Sequence, residues 1–243
     1  LERDIDAHTQ MLLDAGLRPL ALEPTPLPLM RCFGRTFRRE SDQHEPRVIV
    51  DLGAEGTKVL IVRDGSVMFF KKIEIGGRSI DKVVAEHLGM SLEEAARLRW
   101  RVSASPEAPR SEGAGEEAEG EADAMPEGGG NEEVSRAVTD ASRGVLEELA
   151  QEIALCLRYF SVTFRGKRPE EAWLTGGGAH DSRIRQALVE KLETPVHVAE
   201  PFEGIDLSGP SVQLERRGRR CEWAVAVGLA MRPASSRAKG VAA

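Results

Sequence analysis

Residues 47–77 constrain the fold of this chain strongly, because they contain three short runs rich in β-branched and aromatic side chains. The runs are Val48 to Val50, Val59 to Val62 and Val67 to Phe70, a composition typical of strands. Asp64-Gly65 separates the second run from the third and is a strong signal for a tight hairpin turn. We therefore predict successive antiparallel strands, which need helices to cover their apolar faces.

Helical patterns lie on both sides of these strands. Before them, apolar residues recur at helical spacing up to Gly16, and a short apolar strand after Arg18, a proline-rich turn and a helix starting near Pro26 are predicted. After them, two helical segments are separated at Gly89, and the second begins with a capping box made by Ser91 and Glu94. The hairpin is thus predicted to sit between helices.

The second half of the chain alternates helices and strands. A long helix is predicted from one apolar stripe, which comprises Val138, Ala141, Val145, Leu149, Ile153, Cys156 and Phe160. It is followed by the strand "EAWLTGG", the helix "SRIRQALVEKL", the strand "PVHVAEP" and a last helix around "EWAVAVGLAMR". This order predicts an α/β domain with a mixed sheet and flanking helices.

Charge is distributed unevenly along the chain. Residues 103–133 hold ten acidic side chains and one basic one, Arg110, which leaves 32 basic and 30 acidic residues elsewhere, a net charge of +2. We predict that 103–133 is a disordered insert, either a solvated tether or a segment that binds a basic partner. The cluster "ERRGRR" is short and lacks interleaved aromatics, so no nucleic-acid partner is predicted.

Other features indicate the compartment. No run approaches the roughly 18 to 20 apolar residues of a membrane-spanning helix, so no insertion into a membrane is predicted. Cys32, Cys156 and Cys221 are far apart and form no C-x-x-C motif, which fits a reducing compartment. The five histidines show no metal-ligand spacing. Because the sequence opens on Leu1, we expect a fragment or a processed product, located in the cytoplasm.

The stretch "DLGAEGT" is the first candidate binding motif. A turn of this composition can place Gly53 and neighbouring backbone N–H groups against phosphate oxygens, with the Thr57 hydroxyl as a further donor. The Asp51 carboxylate could then hold the waters of a bound magnesium ion. The alternative is a simple tight turn in which Asp51 caps its own backbone.

Three consecutive glycines, Gly176, Gly177 and Gly178, form the second candidate motif. They follow a predicted strand and precede a predicted helix, and ligands of α/β sheets bind beyond the carboxyl ends of strands. Adenine or ribose could lie on this bare backbone. The alternative is that the glycines only permit an awkward connection. Neither a G-x-x-x-x-G-K-[ST] loop nor a G-x-G-x-x-G motif is present.

Taken in order, the aspartate-glycine hairpin, a helix carrying "EEAARLR" and a strand ending in "LTGGGA" resemble the actin-like ATPase superfamily. Within it, "VIVDLGAEGTKVLIV", "AWLTGGGAHDSRIRQALVEKLETPVHVAEPFEGI" and "AVGLAMR" resemble the PilM family of type IV pilus assembly, which is similar to the cell-division protein FtsA. The resemblance implies an actin-like, ribonuclease H-like fold, mainly its second lobe. Residues 1–46 would end the first lobe and connect it, 47–232 would form the second lobe with its insert, and 233–243 would be a flexible tail.

The resemblance also implies ATP and magnesium as ligands. Asp51, Gly53 and Thr57 would meet phosphate and magnesium, and Gly176, Gly177 and Gly178 would pass under the adenosine. Relatives often carry a glutamate and a lysine that touch ribose or base, and their places here are Ala96 and Arg99, with Arg99 as a substitute donor. No second D-x-G strand precedes Asp51, so we expect weak binding and little hydrolysis in this fragment, although an intact protein could be an ATPase.

The function implied by the resemblance is a scaffold of type IV pilus assembly or a related secretion machine. Nucleotide would set the angle between two lobes and thereby the affinity for a partner. That partner would be the cytoplasmic tail of a PilN-like inner-membrane protein, which would hold the scaffold at the inner face of the membrane, and self-association is a further expectation. The alternatives are a small-molecule kinase of the same superfamily and a degenerate, nucleotide-free adaptor.

Overall fold

The computed structural model describes residues 2–34, 45–103, 130–164, 167–206 and 220–233. Its strands are β1 (Arg47–Leu52), β2 (Thr57–Arg63), β3 (Ser66–Ile73), β4 (Ala172–Thr175) and β5 (Val196–Val198). Its α-helices are α1 (Glu2–Asp14), α2 (Pro26–Phe33), α3 (Gly77–Leu88), α4 (Leu92–Ser103), α5 (Gly130–Thr163), α6 (Ser182–Leu192) and α7 (Ala224–Ala230). Short 3₁₀ helices span Gly177–His180 and Arg220–Trp223.

The strands form one mixed sheet in the order β3-β2-β1-β4-β5. β1, β2 and β3 pair antiparallel, whereas β4 pairs parallel with β1 and with β5. Asp64 and Gly65, with φ of 52° and 67°, form the predicted turn between β2 and β3, in the left-handed conformations that suit a tight hairpin. The predicted mixed α/β architecture is confirmed.

Alternating side chains of the central strands enter two separate cores, one on each face of the sheet. Val50 of β1 and Val59 of β2 lie in the core beneath α3, α5 and α6. Ile49 and Leu60 lie in the opposite core, which α2 and α7 cover. Burial on both faces explains why β1 and β2 are almost continuously apolar.

The helices α2 and α7 touch backbone to backbone. A Cβ atom on Gly228 would overlap the carbonyl group of Pro28, so only glycine fits at this position of α7. Arg31 of α2 reinforces the contact, because its Nη1 donates a hydrogen bond of 2.6 Å to the Gly228 carbonyl oxygen. This close approach closes the core on the α2 and α7 face.

Two sequence-based predictions need correction. The short strand expected after Arg18 does not form, and residues 17–24 have no regular structure. Pro19 and Pro24 remove backbone donors there, and Leu20 is 99% exposed, so no sheet edge recruits the segment. The predicted helix before it does form, but its apolar residues are not buried, with Met11 57% exposed.

The ends of the predicted insert 103–133 are helical, because Ser103 closes α4 and residues 130–133 begin α5. The charged side chains of this segment had favoured disorder, but helix propagation from both sides orders its ends. Its remainder, 104–129, lies outside the described residues, and so does 234–243 of the predicted tail. Within the described ranges, no helix is long and apolar enough to cross a membrane.

Candidate functional site

The two predicted glycine turns contact each other at one edge of the sheet. β1 and β4 are parallel neighbours, so their carboxyl ends point the same way. Gly176 follows β4 with a φ of 81°, and a Cβ atom there would lie 2.5 Å from Asp51 Oδ1 and 2.7 Å from the Leu52 carbonyl oxygen. Only glycine allows this conformation and this approach together. The two motifs therefore form a single site.

The three glycines of the second turn differ in their surroundings. A Cβ atom on Gly178 would lie 2.9 Å from the Leu52 side chain, whereas one on Gly177 would meet only the Glu222 side chain, at 3.7 Å and beyond. Packing of one turn on the other therefore accounts for Gly176 and Gly178. Of the three, Gly177 is the one whose position has room for a ligand.

The turn after β1 is held by its own amides and by the start of α3. Gly53 N–H donates to the Gly56 carbonyl at 3.1 Å, and the carbonyls of Gly53 and Ala54 accept from the amides of Gly77 and Arg78 at 3.0 and 2.9 Å. The amides of Ala54 and Glu55 donate no hydrogen bond to another described residue. They are available to an anion.

Asp51 lies at the carboxyl end of β1 and is paired with a lysine that the sequence analysis did not identify. Lys58 stands opposite Asp51 in the β1–β2 register, and its Nζ donates to Asp51 Oδ2 at 2.8 Å. The side chain of Lys58 is 27% exposed and that of Asp51 is 9% exposed. The four-residue turn between Leu52 and Thr57 fixes this register, and it is the sequence signal that could have revealed Lys58.

Thr57 does not join Asp51. Leu52 and Thr57 are register partners on the face that carries Val50 and Val59, so the Thr57 side chain points to the other side of the sheet from Asp51. Thr57 is completely buried, and its hydroxyl donates to the Ile75 carbonyl oxygen at 2.7 Å. The hydroxyl thus anchors the chain leading into α3.

Arg99 is also buried, with 2% of its side chain exposed. Its Nε donates to Asp81 Oδ1 at 2.7 Å and its Nη1 to Asp181 Oδ2 at 3.1 Å. Asp181 also accepts from Arg183 Nε at 2.9 Å and caps α6 by accepting from the Arg183 backbone N–H. We call Asp81, Arg99, Asp181 and Arg183 the buried charge cluster.

The buried charge cluster connects α3, α4 and the start of α6. Burial raises the pKa of the Asp181 carboxyl, but hydrogen bonds and positive charge from Arg183, together with Arg99, outweigh it and hold the pKa below its ordinary value. Asp181 is therefore ionised at neutral pH. Sequence reasoning missed both aspartates, because the Arg99–Asp181 contact joins residues 82 positions apart.

The donors gathered at the sheet edge suit a phosphate group better than a metal ion held through Asp51. The Lys58 ammonium, the free amides of Ala54 and Glu55 and the open backbone at Gly177 face a region where an anionic nucleotide fits. Asp51, the predicted magnesium ligand, already has Lys58 at one oxygen and the backbone of Gly176 against the other. Ala96 is half-buried on α4.

Comparisons with known proteins agree with this architecture. Residues 139–234 match the family model described as "Type IV pilus assembly protein PilM". No curated protein sequence matches the chain. A solved structure of a PilM-PilN type IV pilus biogenesis complex is similar to the chain with a TM-score of 0.73 and 20% identity, over 94% of this chain and 57% of that one.

Two further solved structures share the fold. Ethanolamine utilization protein EutJ from Carboxydothermus hydrogenoformans has a TM-score of 0.59 at 16% identity, over 94% of this chain and 60% of its own. MreB5 of Spiroplasma citri bound to ADP has a TM-score of 0.54 at 14% identity, over 95% and 64%. The chain thus spans less than two thirds of each of these three proteins.

The family match and the structural likeness confirm the resemblance inferred from the sequence. The match to the PilM family model covers α6, β5 and α7, and the structural likeness extends over nearly the whole chain. The predicted α/β fold of the actin-like ATPases is confirmed with it. The chain is a PilM-like protein with the fold of the actin-like ATPases.

Proposed function

We propose that the protein is a cytoplasmic scaffold of type IV pilus assembly or a related secretion machine, and that a nucleotide acts as its conformational ligand. The observation that carries this proposal is the contact of Gly176 with Asp51 and Leu52, which joins a phosphate-type turn and an adenosine-type turn at one sheet edge. The PilM family match and the shared fold of an ADP-bound MreB5 support it.

In this proposal, the phosphates lie against the turn that begins at Gly53 and beside Lys58, and the adenosine lies over Gly177. Thr57 and Arg99 stabilise the two turns from behind, because both side chains are buried with internal partners. A conformational switch needs only a ligand whose affinity differs between two states. Turnover of ATP is therefore not required for the role.

The proposed partner is the cytoplasmic tail of a PilN-like inner-membrane protein. The structural likeness to a PilM-PilN complex supports this partner, and binding it would bring the scaffold to the inner face of the membrane. Nucleotide occupancy would change the affinity for that tail, and by thermodynamic linkage the tail would change the affinity for nucleotide by the same factor.

The test uses the protein at its natural length and a fluorescent ATP analogue. Gly177→Leu should lower affinity for the analogue by about tenfold or more, because the side chain fills the one open glycine position of the turn. Gly144→Leu is the matched control, since a Cβ atom there meets nothing within 4 Å and leucine favours an exposed helix over glycine. Equal affinity of both variants would contradict the proposed site.

The second candidate is a nucleotide-free adaptor, and the Asp51–Lys58 ion pair favours it, because this pair neutralises the site without any ligand. The two candidates separate in a binding experiment with a peptide of the PilN-like tail. A scaffold switched by nucleotide binds the peptide with an affinity that changes when the ATP analogue is added. An adaptor binds the peptide equally with and without the analogue, and does not bind the analogue.

A further inference from the structure

We infer that Lys58 supplies, next to Asp51, the positive charge that the sequence analysis assigned to magnesium, and that nucleotide binding by this protein does not require the metal. The inference rests on the proposed function and deepens it. It assigns a specific ligand class, a nucleoside phosphate free of metal, and it begins from the 2.8 Å contact between Lys58 Nζ and Asp51 Oδ2.

The first step concerns the access to Asp51. One carboxylate oxygen accepts from the Lys58 ammonium, and the other lies against the Gly176 backbone, so closely that a Cβ atom on Gly176 would be 2.5 Å away. Asp51 is only 6% exposed. A magnesium ion keeps several waters and needs octahedral room around them. That room is filled on both sides of this carboxylate.

The second step concerns the reach of Lys58. Its Nζ lies 4.0 Å from the place of a Cβ atom on Gly53, beside the turn whose Ala54 and Glu55 amides are available to an anion. An ammonium group has three donors, and one of them is used by Asp51. Two donors therefore remain for phosphate oxygens, and the 27% exposure of the side chain makes them accessible.

The third step is an independent observation on β3. Lys72 stands directly opposite Lys58 in the β2–β3 register, and its Nζ pairs with Glu74 at 2.8 Å rather than with Asp51. Like charges directly opposite each other destabilise a sheet. An anion bound between the two lysines relieves this repulsion. The Asp51, Lys58 and Lys72 positions form one cross-strand row that ends at the phosphate turn.

The test measures the affinity of the natural-length protein for a fluorescent ADP analogue, in magnesium and in excess chelator. We expect the wild-type affinities to agree within about threefold. Lys58→Met should lose about tenfold or more in chelator and regain binding in magnesium, because Asp51 becomes free for the metal. Lys58→Arg should restore binding in chelator, and Lys82→Met, on the exposed side of α3, should behave as wild type.

Three results would overturn the inference, and they are distinguishable. If the wild type loses binding in chelator but binds in magnesium, Lys58 does not replace the metal, although the proposed nucleotide site stands. The same holds if Lys58→Met binds as the wild type does in chelator. If no variant binds the analogue in either buffer, both the inference and the nucleotide part of the proposed function fail.

Discussion

The Asp51–Lys58 pair and the buried charge cluster contain the same chemistry in different surroundings. Their shortest contacts are nearly equal, 2.8 Å between Lys58 and Asp51 and 2.7 Å between Arg99 and Asp81. Their exposure is not, since the Lys58 side chain is 27% exposed and that of Arg99 only 2%. The comparison shows that a short ion pair does not by itself identify a ligand site.

The energetic consequences of the two surroundings are opposite. Removing one member of a buried ion pair leaves an uncompensated charge and costs about 3–5 kcal/mol. A partly exposed pair contributes about 0–1 kcal/mol, because solvent replaces the lost partner. The buried charge cluster is therefore suited to hold helices together. The Asp51–Lys58 pair can exchange partners for a ligand at little cost.

The largest expected effect is the loss of Arg99. Arg99→Met leaves Asp81 and Asp181 without their shared cation, and we expect the free energy of unfolding to fall by about 3–5 kcal/mol. Arg97→Met on the same helix removes only an exposed pair with Glu93 and should cost less than about 0.5 kcal/mol. Urea unfolding monitored by circular dichroism measures both. Similar losses for the two variants would mean that the cluster does not hold the helices.

The next effect concerns the glycines of the second turn. Gly176→Ala places a methyl group against Asp51 and forces a positive φ on alanine, so we expect a loss of about 2–3 kcal/mol. Gly177→Ala meets only Glu222 at 3.7 Å and should change stability by less than about 0.5 kcal/mol. Thermal unfolding of the two variants measures the difference. A Gly177 variant that is as unstable as the Gly176 variant would refute the assignment of room at Gly177.

A smaller effect is a dependence on pH. The pKa of Asp181 is lower in the folded protein than its ordinary value of 3.8, so its contribution is complete above that value and is lost as the pH falls through the folded pKa. The difference in unfolding free energy between wild type and Asp181→Asn should therefore be largest near neutral pH and shrink below about pH 4. Urea titrations across this range measure it. A difference that grows with acid would reverse the sign.

The smallest expected effect on stability is the loss of Lys58. Lys58→Met should lower the free energy of unfolding by less than about 1 kcal/mol, because the pair is partly exposed. Asp51→Asn should act similarly, while the double variant should lose no more than the larger single change, as expected for two groups that act on each other. A loss comparable to that of Arg99→Met would place this pair in the same structural class as the buried charge cluster.

The sequence predicted the local elements well, because their signals are local. The Asp64-Gly65 turn, the capping box of Ser91 and Glu94 and the helix start near Pro26 all occur as expected. The carboxyl-end position of both glycine turns also followed from the strand order. These features depend on neighbouring residues or on general rules of sheet topology.

The roles of individual side chains were harder to predict, because they depend on contacts between distant residues. Arg99 reaches Asp181 across 82 positions, and a helical pattern cannot show that its guanidinium turns inward. Thr57 is next to the phosphate turn in sequence, but strand alternation places it on the other face from Asp51. Lys58 was predictable from the hairpin register, since each residue beyond the turn has a fixed opposite partner.

The central claim is that a nucleotide meets Lys58 and not Arg99. The direct measurement is a titration of the natural-length protein, labelled with nitrogen-15 on lysine and arginine side chains, with ADP in the absence of metal. We predict that the Lys58 ammonium signal moves progressively with added ADP while the Arg99 Nε signal keeps its position. A shift of the Arg99 signal with an unchanged Lys58 signal would contradict the account.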